Sequence, residues 1–176
     1  MALTFAEAFA SEFPPLHRYL HRRMGAVAAD DLAAATFAAA FARWDTFDQS
    51  RPLRPWLYGI AANLSRRHWR DERRKLRAYA RTGIDPVLAD DAEPNERIDA
   101  RGRARELAAA LAELRPRDRE IVLLHAWADL TDSEIAEALS LPVGTVKSRL
   151  HRARERLRNR LAASGQGEER AMVAEQ

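Results

Sequence analysis

The stretch from 129 to 156 constrains the fold more than any other, because it prescribes two helices separated by a turn too short to hold a strand. Thr131 and Glu134 stand three apart around Asp132 and Ser133, the spacing of a capping box in which hydroxyl and carboxylate take the free N–H groups of a helix start. Ile135, Ala136 and Leu139 then make one apolar face. The turn spans Ser140 to Val143. Pro142 cannot donate to a continuing helix, Gly144 is expected to relax the backbone, and Thr145 is expected to cap or open the second helix.

Along that second helix Val146, Leu150, Ala153, Leu157 and Leu161 repeat at intervals of four and three, as a buried helical seam requires. The remaining surface is basic. At 3.6 residues per turn Lys147, His151, Arg154 and Arg158 share one flank, Ser148 and Arg152 lie beyond it, and Arg149, Arg156 and Arg160 fall on the other side. A helix so decorated fits a major groove, its first turn facing base edges and its later arginines facing phosphates. The pair reads as a DNA-binding helix-turn-helix rather than a solvated amphipathic bundle helix, since a cap, a turn and a basic reading face occur together.

The rest of the chain is helical in pattern. Few segments alternate with period two, so the expected fold is all-α, and 176 residues suffice for two small helical domains. The net charge is only +3, but it is strongly patterned. Between 51 and 81 the acids are limited to Asp71 and Glu72, between 83 and 100 acids dominate, and from 144 to 160 only Glu155 is acidic. Two basic blocks around an acidic linker suggest two contacts with a polyanion. No cysteine is present, which removes disulfides and thiolate metal sites, and the histidines lack metal-ligand spacing. No segment reads as a membrane span or a signal peptide, so a cytoplasmic protein is expected.

From the N-terminus, Phe5, Phe9 and Phe13 form an aromatic stripe on a first helix that should stop near Pro14 and Pro15, and Leu16, Leu20 and Met24 line a second ending at Gly25. Asp30 and Asp31 suit the N-terminus of a third, which continues through Leu32, Phe37, Phe41 and Trp44. Its many alanines allow close approach of another helix, of this chain or of a partner. From Pro55 the next helix buries Leu57, Ile60, Ala61 and Leu64, leaving Trp56, Asn63, Arg66, Arg67 and Arg70 at the surface. Aromatics interleaved with arginines suit unpaired nucleic acid, though Trp56 and Trp69 serve equally well as core. The basic run continues through Arg73, Arg74, Lys75 and Arg77. Helical periodicity resumes near Asp99 with Leu107, Leu111 and Leu114, halts at Pro116, and continues through Ile121, Leu124 and Ala128. After Leu161 the tail should fray.

Taken together, Asp31-Leu32 with Thr36-Phe37, the run from Arg54 to Asn63 followed by Arg66 to Arg70, Glu134 to Leu139, and Pro142 to Arg154 resemble the extracytoplasmic-function (ECF) sigma factors of bacteria. The resemblance covers the chain from about Phe5 to about Leu161. It implies sigma region two at 1–81, a flexible acidic linker at 82–100, sigma region four with the helix-turn-helix at 101–162, and a C-terminal tail at 163–176. It further implies a transcription initiation factor, not an enzyme, that binds bacterial core RNA polymerase and promoter DNA, needs no cofactor or metal, does not insert in membranes, and has room for a cognate anti-sigma factor. Asp30, Asp31, Leu32, Phe37, Phe41 and Trp44 match the polymerase-docking helix. Asn63 matches the position that takes an unstacked base of the minus-ten element from the melted non-template strand, with Arg66, Arg67, Trp69 and Arg70 holding that strand or the duplex edge. Lys147, Ser148, His151 and Arg152 match positions facing the duplex minus-thirty-five element, with Thr145 and Arg149 in support. The linker either threads toward the RNA path or acts as a passive tether. Ala33-Ala34-Ala35 and His151 depart from what many members carry. A stand-alone transcription factor and a nucleic-acid enzyme are the rival readings; the first eighty residues offer no receiver pattern, and no nucleophile or metal cluster appears.

Overall fold

A computed structural model describes residues 3–82 and 94–174, all of whose regular elements are helical. The order is α1 (Phe5–Met24), α2 (Ala26–Phe41), α3 (Leu53–Ser65), α4 (Trp69–Thr82), α5 (Pro94–Glu113), α6 (Pro116–Trp127), α7 (Asp132–Leu139) and α8 (Val143–Ala174). Short 3-10 turns occupy Trp44–Thr46 and Arg66–His68. Residues 83–93 of the expected linker lie outside the described residues, but 94–100 are helical, so α5 begins earlier than the acidic composition suggests. The tail too is helical as far as Ala174, not frayed from 163.

One helix runs where two were expected at the N-terminus. Thr4 and Glu7 cap α1 reciprocally, and the helix passes through Pro14 and Pro15 to Met24. The two rings remove the N–H groups that would bond the carbonyls of Ala10 and Ser11. Both of those residues are exposed, so water can take their place, while burial of Leu16, Tyr19 and Leu20 on the other face holds the helix together. Gly25 then reverses the chain at a φ of +89°, a backbone state that costs glycine little and other residues much. Consequently α2 starts at Ala26, and Asp30 and Asp31 sit in its second turn instead of at its N-terminus. Ala29, Ala33 and Ala40 are buried, so the alanine-rich face is used within the chain, against α1 and α3.

In the second half α5 ends at Glu113, as the halt expected at Pro116 requires, and Pro116 itself opens α6 at its first turn, where a missing N–H costs nothing. One expectation there fails. Leu107 is exposed, whereas Leu111 and Leu114 are buried beside Ile121 and Leu124. The α6 stretch from Asp118 to Leu124 is buried throughout, which the periodicity of apolar residues could not indicate.

The two halves are packed together, α3 on α7 and α4 on α5. Where α3 meets α7 the backbones come so close that a Cβ on Gly59 would lie 2.7 Å from the Ala138 carbonyl oxygen. Beside this contact lies a buried network of charges. From the first half, Arg23 Nε donates to Glu72 at 2.6 Å; its two terminal nitrogens reach Glu120 of the second half at 2.5 and 2.7 Å. Arg119 donates in turn to Glu72 at 3.2 Å and to the carbonyls of Leu111 and Leu114 at 3.3 and 3.4 Å. Tyr19 Oη accepts from Arg23 and donates to Glu120. None of Arg23, Glu72, Arg119 and Glu120 is more than 3% exposed. Burial works against charge on Arg23, but Tyr19, Glu120 and Glu72 around it hold its proton well above the usual arginine range. Two arginines facing two glutamates leave no net charge in the seam.

Removing one member should therefore be costly. Glu72→Ala leaves both guanidinium groups short of an acceptor in a dry site and is expected to lower unfolding free energy by about 3–5 kcal/mol, read from urea denaturation followed by circular dichroism. A loss no larger than that of an exposed glutamate would contradict the burial of the network.

Candidate nucleic-acid interface

The helix-turn-helix forms as its local chemistry dictates. Thr131 Oγ1 accepts from the Glu134 amide at 3.3 Å, while the Glu134 carboxylate accepts from the Thr131 amide at 2.8 Å. At the far end of α7 the left-handed residue is Ser140, at φ 52° and ψ 51°, and not Gly144. Ser140 and Leu141 donate to the carbonyls of Glu137 and Ala136, which closes the helix in a Schellman arrangement. Gly144 already lies within α8, which starts at Val143 with Pro142 supplying the carbonyl for the Thr145 and Val146 amides. Thr145 is thus a first-turn residue rather than the cap.

On α8, Val146, Leu150 and Ala153 are buried, and Leu157 and Leu161 are half-buried as the helix leaves the core. Lys147, Ser148, His151 and Arg152 are all exposed on its first three turns. Ser148 Oγ donates to the Thr145 carbonyl at 3.1 Å, which ties its hydroxyl to the helix start. Arg149 differs from its neighbours: it is half-buried and bonded at 2.8 Å to Asp118 of α6, whose other oxygen is 4.0 Å from Arg156. These contacts brace α8 on α6 and hold Arg149 against Asp118.

The other basic surface lies on α3 and α4. Leu57, Ile60 and Ala61 are buried as their spacing requires, Leu64 is half-buried, and Asn63, Arg66 and Arg70 are exposed. The Arg67 side chain lies outside the described residues. Trp56 is not free to stack on bases, because its ring stacks on Phe47 at 4.5 Å within an aromatic cluster that includes Trp44. Trp69 is half-buried and lines a small cleft with Gly59, Ala62, Asn63 and Arg66, closed on its far side by Arg117, Glu120 and Ala138 to Leu141. A second, larger groove of about 710 Å³ runs between α4 and α5. Arg70, Arg73, Arg74, Arg77 and Arg81 line it over a floor of alanines. Only Arg70 of these figures among the expected contacts, although spacing by three and four along one helix face identifies the row.

The expected polymerase-docking set divides by burial. Leu32 and Phe37 are buried in the core beneath α2. Asp30, Asp31 and Phe41 are exposed, Asp30 with a hydrogen bond to His17 at 2.7 Å, and Trp44 is half-buried on the 3-10 turn that follows α2. Phe41, at 65% exposure, and Val27, at 81%, are large apolar side chains of α2 that face solvent, Phe41 packed on one side by Phe5.

Residues 8–75 match the family Sigma-70 region 2, and residues 104–157 match Sigma-70, region 4. The chain is 30% identical to the ECF RNA polymerase sigma factor SigW of Bacillus subtilis, across 83% of this chain and 82% of that one. It is 34% identical to the RNA polymerase sigma-E factor of Streptomyces coelicolor, across 78% and 73%. Its fold resembles that of CnrH in complex with the cytosolic domain of CnrY, with a TM-score of 0.65 and 27% identity over 90% of this chain and 88% of that one.

Two variants separate the local contacts. Thr131→Ala, which removes a reciprocal cap, is expected to cost about 1 kcal/mol of stability, read as a lower urea midpoint. Asp118→Asn releases Arg149 and should strengthen duplex DNA binding, steepening the log–log salt dependence by about one unit in fluorescence anisotropy; weaker binding would show that Asp118 organises α8 rather than competing for its arginines.

Proposed function

This chain belongs to the ECF RNA polymerase sigma factors, the initiation factors that direct polymerase to promoters, and on that premise we propose how its residues divide the work. Residues 1–81 act as sigma region two, 101–162 as sigma region four. Bacterial core RNA polymerase, bound through Asp30, Asp31, Phe41 and Trp44 on the surface of α2 and its following turn, is the main protein partner. Lys147, Ser148, His151 and Arg152 read the minus-thirty-five element as duplex, and Asn63 with Arg66, Arg67, Trp69 and Arg70 captures the melted non-template strand of the minus-ten element. The observation that carries this reading is the exposed row Lys147, Ser148, His151 and Arg152 at the start of a capped, core-anchored α8.

The chain performs this task by binding, without turnover. Capture of an unstacked base offsets part of the cost of strand separation, and phosphate contacts by the arginines make the whole process sensitive to salt. No helix among the described residues is long and apolar enough to cross a membrane. We place the protein's action in the cytoplasm, where polymerase and promoter meet, and an anti-sigma factor is a fitting second partner, since CnrH is known in complex with CnrY.

Run-off transcription with purified bacterial core polymerase on fragments of the source genome tests the reading. Specific new start sites are expected only when the chain is added, and silence together with tight duplex binding by the chain alone would favour a stand-alone transcription factor. On a promoter so found, Asn63→Ala should impair strand opening more than duplex binding, as read by permanganate footprinting against band shift. Lys147→Ala and Arg152→Ala should weaken use of the upstream element by about 1–3 kcal/mol each, with start sites otherwise unchanged.

A further inference from the structure

The groove between α4 and α5 is a basic surface that the proposed reading of a promoter leaves almost unused. Arg70, Arg73, Arg74, Arg77 and Arg81 line it, and only Arg70 has a part in strand capture. All five side chains are exposed. Among the described residues no carboxylate pairs with Arg70, Arg73 or Arg77. Glu113, the acid in the lining, is already bonded to Arg160 at 3.3 Å. Like charges three and four positions apart on one helix face repel one another, so the row weakens α4 until an anion lies against it.

The shape of the groove narrows the choice of anion. Helices that pack side by side, as α4 and α5 do, stand about 8–10 Å apart. The space of about 710 Å³ along them therefore admits a thin chain and not a duplex. Its floor is Ala80, Ala109 and Ala112, and none of the described residues lining it is aromatic. A nucleic-acid strand laid there would have its phosphates met but its bases left without a stacking partner. A chain of phosphates without bases is matched along its whole length, because it offers only acceptors and the arginines offer only donors. From Arg70 to Arg81 the row rises about 16 Å along α4, room for several linked phosphates. Small alanines let such a chain sit low enough for guanidinium groups to reach it from the side, each able to bond two oxygens at once. We infer that the α4–α5 groove is a binding site for linear inorganic polyphosphate, with Arg70, Arg73, Arg77 and Arg81 taking successive phosphates. The site does not depend on Asn63 or on the exposed face of α8.

Titration calorimetry of the full chain with sodium pyrophosphate, tripolyphosphate and a longer polyphosphate tests the row. Pyrophosphate reaches only one turn of α4, so the longest chain should bind tighter by about tenfold or more, since each added hydrogen bond between charged groups is worth roughly that factor. Equal affinity at every length, or no binding at all, overturns the inference. Arg73→Gln with Arg77→Gln, both on the exposed face of α4, should weaken the longest chain by about tenfold or more on the same ground. The matching pair on α8, Arg154→Gln with Arg158→Gln, removes the same charge at the same spacing from another exposed face. At an ionic strength of about 0.15 M, where charges beyond about 8 Å are largely screened, that pair should leave the affinity nearly unchanged. Equal losses in the two pairs would reduce the binding to diffuse charge attraction and overturn the site. A nucleoside triphosphate that binds more tightly than tripolyphosphate would make the groove a nucleotide site and overturn the assignment to polyphosphate.

Discussion

The constraint on which the rest of the structure depends is the charge-balanced network of Arg23, Glu72, Arg119 and Glu120. Each side chain is costly to bury alone, and each is paired in a way that only one docking of the halves permits. Arg119 shows the economy of the arrangement. One guanidinium bonds Glu72 across the seam and also takes the carbonyls of Leu111 and Leu114 at the end of α5, so the docking contact and the α5–α6 corner are supported together. Its burial explains why the α6 stretch from Asp118 to Leu124 has no solvent face.

Against that seam the helix-turn-helix is almost self-contained. Its cap, its left-handed turn at Ser140 and its start at Val143 are satisfied within about a dozen neighbouring residues. Tertiary packing contributes Ile135, Val146 and Leu150 as anchors and the Asp118 clamp on Arg149. A helix held this way presents its first turns in a set orientation, so a ligand bound there would cost little in ordering of the backbone. Region two achieves the same rigidity through aromatic packing, with Phe5, Phe9, Phe13 and Phe37 joining α1 to α2.

Much of this was legible in residue patterns. The all-helical class, the capping box, the buried stripe of α8 and the stripe of α3 all follow from spacing, because each depends on neighbours within two turns of one helix. Boundaries were less so. Pro14 and Pro15 stop a helix by local rules, but here exposed carbonyls and a buried opposite face allow it to continue. Asp30 and Asp31 mark a helix start only if the preceding glycine does not begin it sooner, and Gly25 does. Leu107 obeys the apolar period yet faces solvent, for nothing in the pattern states where a partner helix ends.

The sequence by itself determined the helical elements, the helix-turn-helix with its exposed basic face, and, through its resemblance to ECF sigma factors, the family. Only the tertiary structure decided that Leu32 and Phe37 are buried in the core, that Trp56 is engaged by Phe47, that Arg149 belongs to Asp118, and that the turn after α7 walls the cleft beside Asn63. The physical reason is one of range. Helical spacing records interactions between residues three or four apart, whereas Arg23 and Glu120 are separated by 97 positions and look in sequence like any other solvent-seeking charges. Their meaning arises only where burial leaves each the other as partner.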